Sequence, residues 1–240
     1  MSHSKMQVEI WSDVMCPFCY IGKRNFEAAF EKFTNAKNIE VSWKSFQLDP
    51  TLPEKEELDH EQYLIERKGF SKEQVKGMLN HVAQTAKNAG LNYHFDKVIT
   101  VNSFNAHRLI QMAKTKGLDD AAEEQLFKAY FTDGKDIADK ATLTELGKAI
   151  GLIEQEVNEA LTNEIYAAKV NRDIDEAQQI GVRGVPFFVF DRRYAVSGAQ
   201  PPEAFTQTLE KAFSEWREKN PEPPFELTEG PSCTPDGHCG

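Results

Sequence analysis

Cys16-Pro17-Phe18-Cys19 stands directly after a short alternating segment and at the opening of a helical one, and this placement constrains the fold more than any other feature. Val8, Ile10 and Ser12 alternate with Gln7, Glu9 and Trp11, the period of a strand. Pro17 suits the first helical position, where its missing N–H leaves no bond unmade. Cys19, Gly22, Phe26, Phe30 and Phe33 then recur at the three- and four-residue spacing of one buried stripe. Ile39 to Leu48, rich in Val, Trp and Phe, reads as a second strand. Residues 7–48 are therefore expected to form a β-α-β unit.

The chain contains 4 cysteines in 240 residues, too few for a disulfide scaffold, and this sparseness fits a reducing cytoplasm. The first residues lack the basic, apolar and small-residue series of a secretory leader, which leads to the same expectation. The cysteines fall into two pairs, Cys16 with Cys19 and Cys233 with Cys239. At a strand-to-helix junction the first pair meets the free N–H groups and positive dipole end of the helix, which stabilise negative charge on the first sulfur. Cys16 is thus expected as nucleophile and Cys19, facing it one helical turn on, as the thiol that resolves a mixed disulfide. The alternative is a zinc site made by all four cysteines in a binding or holdase-type module. The five residues between Cys233 and Cys239, and the proline between the first two cysteines, disfavour it.

The break at Asp49-Pro50-Thr51-Leu52-Pro53 ends the first unit. Helical patterns follow to about residue 178: Ser71 to Asn88, closed by Gly90; a helix capped by Ser103 and closed by Gly117; and one opening at Asp119 with Ala122, Leu126, Ala129 and Tyr130 inward. Shorter helices at Thr142–Ile150 and Ile153–Leu161 and a longer one at Glu164–Gln179 complete the block. Val185 to Phe190 and Arg193 to Ser197 read as a hairpin, followed by a helix from Pro202 to Trp216. The expected division is residues 1–53 and 179–218 for one α/β domain, 54–178 for an all-helical insertion whose last helix rejoins the core, and 219–240 for an extended tail.

Gly184-Val185-Pro186 enters a strand, where an X-Pro bond can be cis and where Val185 backbone groups can pair with an extended substrate. Lesser candidates are His107, as the border of a substrate cleft, and Phe18, with Phe187, Phe188 and Phe190, as an apolar rim. Asp13 is a candidate proton relay to Cys19, against a purely structural role shaping the loop. A structural role for Asn102, His107 and Arg108 is read equally.

Several segments together resemble a known family: Ser12 to Gly22, Asn102 to Leu109, Tyr130 to Ile137, Gly181 to Phe190, and Val196-Ser197-Gly198-Ala199-Gln200. They are similar to the FrnE-like branch of the DsbA family, in order from about residue 7 to 215. The resemblance implies a thioredoxin-like fold with a large helical insertion between β-α-β and β-β-α halves, Cys16 and Cys19 as redox pair, and Pro186 as cis-proline. It also implies a disulfide-containing or dithiol substrate, protein or small molecule, with glutathione among the candidate partners. The related isomerases and kappa-class glutathione transferases carry serine where this chain has Cys16, which favours dithiol chemistry over glutathione-dependent isomerisation of a small aromatic molecule. Cys233 and Cys239 resemble a second pair seen in some FrnE-like proteins, and are expected to relay electrons to the first pair, to form a static disulfide, or to stay unpaired on an accessible tail.

No resident cofactor or metal is expected. With 28 Lys and Arg against 38 Asp and Glu, the net charge of −10 argues against general nucleic-acid binding. No apolar run approaches the roughly 18 residues of a membrane span. A homodimer through the helical segment is compatible with its apolar stripes.

Overall fold

The computed structural model describes residues 5–53 and 56–221. Strand β1 (Met6–Ser12) leads into helix α1 (Pro17–Phe30), which returns to strand β2 (Ile39–Ser45), parallel to β1. Seven helices follow: α2 (His60–Glu66), α3 (Lys72–Asn88), α4 (Phe104–Lys114), α5 (Asp119–Lys128), α6 (Lys140–Ala149), α7 (Glu154–Thr162) and α8 (Glu164–Gln179). The chain closes with strands β3 (Phe187–Phe190) and β4 (Tyr194–Ser197) and helix α9 (Pro202–Lys219). The sheet order is β2-β1-β3-β4, with β3 antiparallel to both neighbours.

Strand alternation sorts the two faces of the sheet. Met6, Val8 and Ile10 with Phe188 and Phe190 face α1 and α9, where Phe26, Phe205, Leu209 and Trp216 complete one core. Trp11 and Val189 face the other way, against Ala177 of α8 and Val182. Trp11 Nε1 also donates to the Asp173 carbonyl of α8 at 2.9 Å, so α8 covers the sheet. Helices α5 to α8 pack around α4, whose residues Ala106 to Ala113 are all buried. Gly134, at φ +68, follows a π-type turn over Ala129–Asp133; a Cβ there would lie 2.5 Å from Lys97 Cβ.

Local boundaries depart from the expectations where tertiary contacts intervene. α1 ends at Phe30, and Phe33 lies in the following turn, although its ring still meets Phe213 edge-on at 5.4 Å. β2 stops at Ser45, because beyond Phe46 the chain leaves its β1 partner. Ser103 occupies the N-cap position of α4, but its hydroxyl makes no cap bond; Asn102 Oδ1 accepts from Phe104 N at 2.9 Å instead. Ser71 does cap α3, reciprocally with Gln74. The strand after Pro186 begins only at Phe187, so Val185 and Pro186 precede the ladder. Among the described residues, no helix is long and apolar enough to cross a membrane. The expectations for Cys233, Cys239 and the tail beyond residue 221 lie outside the described residues.

Candidate active site

Cys16 is the N-cap of α1 and Pro17 the first helical residue, so the sulfur sits at the end where backbone N–H groups lack helical partners. The turn before it is held by Cys16 N donating to the Asp13 carbonyl at 2.9 Å, and the first helical turn by Cys19 N donating to the Cys16 carbonyl at 3.0 Å. Cys16 is 4% exposed and Cys19 is completely buried, and neither is in a disulfide. Burial pushes the Cys19 thiol well up from its ordinary range, and its interaction with Cys16 pushes the same way.

The Val185–Pro186 peptide bond is cis, and the Val185 carbonyl accepts a hydrogen bond from the Cys16 thiol at an Sγ–O distance of 3.4 Å. Pro186 uses its own carbonyl to accept from Gly198 N at 2.8 Å, which ties the loop to the end of β4. Gly22 lies beneath this loop: a Cβ on it would stand 2.8 Å from Pro186 Cγ and 3.4 Å from Phe188 Cζ. A helix-interior glycine costs about 1 kcal/mol relative to alanine, so its presence on a buried stripe signals close approach by another element. Tyr93, from the loop after α3, was not anticipated. Its hydroxyl donates to the Pro17 carbonyl at 2.7 Å, and its ring stacks near Tyr20 at 6.2 Å. Nothing in the local pattern around Asn92-Tyr93-His94 marks it, because the contact is made across elements.

Asp13 is fully buried beside the cysteine loop. Its Oδ2 accepts from Leu48 N at 2.7 Å and its Oδ1 from Met15 N at 3.2 Å, so it does shape the loop. His107, expected at the border of a cleft, is instead 0% exposed, with Nε2 3.4 Å from Asp13 Oδ1. The stretch of its helix from Ala106 to Ala113 is entirely buried, which puts the imidazole beneath the loop and away from any surface. Arg108 donates to the carbonyls of Ala160 and Asn163 at 2.9 and 3.1 Å, binding the end of α7. Asn102 bridges Gln47, Phe104 and Leu52. Both are structural ties. Phe18 is exposed at the site, Phe187 is half-buried, and Phe188 and Phe190 belong to the core. A groove lined by Gln47, Pro50, Asn102, Phe104 and Asn105 opens at the N-terminal end of α4. Among the described residues, no group of three or more His, Cys, Asp or Glu side chains is arranged to hold a metal ion.

Known proteins are similar to this chain in sequence and in fold. The probable DsbA oxidoreductase of Streptomyces coelicolor superposes with a TM-score of 0.83 at 38% identity, over 98% of both chains. The uncharacterized protein YwbO of Bacillus subtilis is 25% identical over 89% of this chain and 98% of its own. The cytosolic disulfide reductase DsbM of Pseudomonas aeruginosa shares the fold, with a TM-score of 0.62 at 16% identity over 87% of this chain and 99% of DsbM. The model of the DSBA-like thioredoxin domain matches residues 7–210, and with a cysteine pair at the first helix beside a proline-led strand, the chain belongs to the DSBA-like thioredoxin family.

Proposed function

We propose that the chain is a thiol:disulfide oxidoreductase in which Cys16 exchanges with a substrate sulfur and Cys19 resolves the mixed disulfide. The observation that carries this reading is the 3.4 Å approach of Cys16 Sγ to the Val185 carbonyl, at the N-terminus of α1. A substrate segment lying along Val185 would bring its own sulfur to Cys16 while pairing with the same backbone. In the reducing direction, the Cys16 thiolate attacks a substrate disulfide, one substrate thiol leaves, and Cys19 then attacks Cys16 to release the second. Two electrons and two protons pass from the cysteine pair to the substrate. In the oxidising direction the same bonds form in reverse.

Phe18 supplies exposed apolar surface beside the nucleophile, suited to an unfolded or flexible chain carrying the sulfur. Glutathione disulfide is the small-molecule substrate to try first, since a structure of DsbM is described with glutathione. Cys233 and Cys239 complete the proposal as a second pair that exchanges electrons with the first. The turn-forming residues between them allow a closed loop. A cytoplasmic setting agrees with the low cysteine content.

Reduction of insulin disulfides with a glutathione or dithiol donor tests the reading. Cys16→Ser is expected to abolish turnover, and Cys19→Ser to accumulate a mixed disulfide at Cys16, including one to Cys233 or Cys239 when oxidant is limiting. Wild-type protein with no disulfide turnover but with bound zinc and four cysteines shielded from alkylation would overturn it. So would a rate on chromene-type substrates that survives Cys19→Ser, together with no insulin-disulfide reduction by wild type.

A further inference from the structure

Ser12 is the last residue of β1, and the alternation that sends Met6, Val8 and Ile10 toward α1 sends Ser12 the same way. Every other position in that column is apolar. On the facing helix, Cys19, Gly22, Phe26 and Ala29 follow one another along the inner stripe and are all buried. Phe26 packs over Phe188 and Phe190, the partners of Ile10 and Val8, and Gly22 packs over Pro186 and Phe188. The stripe and the column thus run side by side. Ser12 lies one step past the last paired residues, Trp11 and Phe187, which brings it level with the active-site end of the helix.

The Ser12 hydroxyl is completely buried and has no hydrogen-bond partner among the described residues, at the end of the column that faces the inner stripe of α1 where Cys19 stands. A buried hydroxyl without such a partner is rarely left so. Its backbone is fixed independently, since Ser12 pairs with Ser45 in the ladder and its carbonyl accepts from Phe46 N at 2.9 Å.

Building on the thiol-exchange reading above, we propose that Ser12 is a catalytic residue of the resolving step, its hydroxyl donating a hydrogen bond to the Cys19 thiolate as that thiolate forms and attacks Cys16. With a neutral thiol the hydroxyl gains little, because a thiol sulfur is a weak acceptor. With the thiolate it becomes a charge-assisted donor inside a water-free site, where such a bond is strongest. Burial and the nearby Cys16 oppose ionisation of Cys19; Ser12 and the backbone of Asp13 favour it. Asp13 of the cysteine loop and Tyr93 are further ionisable groups near this sulfur, and burial keeps the Tyr93 phenol protonated. Ser12 keeps its own proton throughout. The balanced step converts the Cys16–substrate disulfide and the Cys19 thiol into the Cys16–Cys19 disulfide and a free substrate thiol, the proton from Cys19 ending on the departing sulfur.

The test is single-turnover kinetics on the full chain, with glutathione disulfide as the probe. The reduced protein is mixed with it, samples are acid-quenched, and the Cys16–glutathione mixed disulfide is followed by mass spectrometry for wild type, Ser12→Ala and Ser12→Thr. Ser12→Ala is expected to resolve the mixed disulfide about tenfold more slowly at neutral pH, with the rate profile displaced to higher pH, relative to its own rate of mixed-disulfide formation. Ser12→Thr retains the hydroxyl and is expected to recover most of that rate. Equal resolution rates in wild type and Ser12→Ala, equal slowing of both steps, or Thr behaving as Ala would overturn the proposal while leaving thiol exchange in place. Wild-type protein that never forms a mixed disulfide would instead overturn the exchange reading on which it rests.

Discussion

Cys16 Sγ and the Val185 carbonyl oxygen, 169 positions apart in the chain, are 3.4 Å apart in the fold. The contact places the nucleophile between a helix N-terminus and the backbone of a proline-led loop. Cys19, one turn deeper, has no comparable opening to solvent. The two sulfurs should therefore differ sharply in chemistry. With fully reduced protein and iodoacetamide near neutral pH, Cys16 is expected to be alkylated at least about tenfold faster than Cys19, because burial holds the latter as a thiol. Peptide mapping after timed quenching checks this. Comparable rates at the two sites would contradict the assignment of roles.

Gly22→Ala should cost stability although alanine is the better helix former. The added Cβ meets Pro186 Cγ at 2.8 Å, and the obstacle is a proline ring in a fixed loop. Overpacking of this kind costs about 1–3 kcal/mol, while the propensity gain returns up to about 1. A net loss should lower Tm by several degrees, at about 2–4 °C per kcal/mol for a chain of this size. The ring can yield only by carrying Val185 with it, so insulin reduction should fall together with Tm. An unchanged or higher Tm would show that the loop moves freely.

Asp13→Asn tests what the buried carboxylate contributes. Its two oxygens accept from Leu48 N and Met15 N, and an amide offers one oxygen and turns an NH2 group toward the other donor. The expected cost is about 1–3 kcal/mol, visible in denaturant unfolding. His107 Nε2 also lies 3.4 Å from Asp13 Oδ1. A proton relay adds a second signature: slowed resolution by Cys19 with little change in mixed-disulfide formation at Cys16. Slowing of both steps alike would assign Asp13 to loop shape only.

Glu123, on α5, is 1% exposed, and neither carboxylate oxygen has a hydrogen-bond partner among the described residues. Burial pushes its carboxyl well up from the ordinary range, with the charge of Asp13 acting in the same direction and Lys23 against it. The folded protein therefore keeps this proton at pH values where the unfolded chain has released it. That stability is fully present below the unfolded value, near 4.5, and is lost as pH rises toward the folded one. Glu123→Gln does not titrate, so its Tm advantage over wild type should grow between pH 5 and 7, by up to about 1.4 kcal/mol per pH unit. A difference independent of pH would mean that Glu123 is ionised in the fold.

Much of the architecture was legible because it depends on local periods. The β-α-β opening, the Ser71 cap of α3, the hairpin and the last helix all follow from apolar spacing and from turn and cap residues. The errors lie where a local signal was outweighed by a partner elsewhere. Ser103 looked like the cap of α4, but Asn102 is drawn into that role by its place between Gln47 and Leu52. His107 read equally as a cleft border and as a structural residue, and the burial of α4 from Ala106 to Ala113 decides for the second.

The sequence by itself determined that a cysteine pair opens the first helix and that a Val-Pro step enters a late strand, since both are properties of neighbouring residues. Only the tertiary structure decided that these two features meet. Their meeting depends on β3 pairing with β1 in one register, antiparallel, with Ile10 opposite Phe188. A shift of one residue would turn every side chain of β3 to the opposite face and withdraw Pro186 from Gly22. The same register sets Ser12, a polar residue at the end of an apolar column, level with the end of α1 that carries the cysteines. Alternation shows which way such a side chain points, but what it points at is set by the packing of helix on sheet.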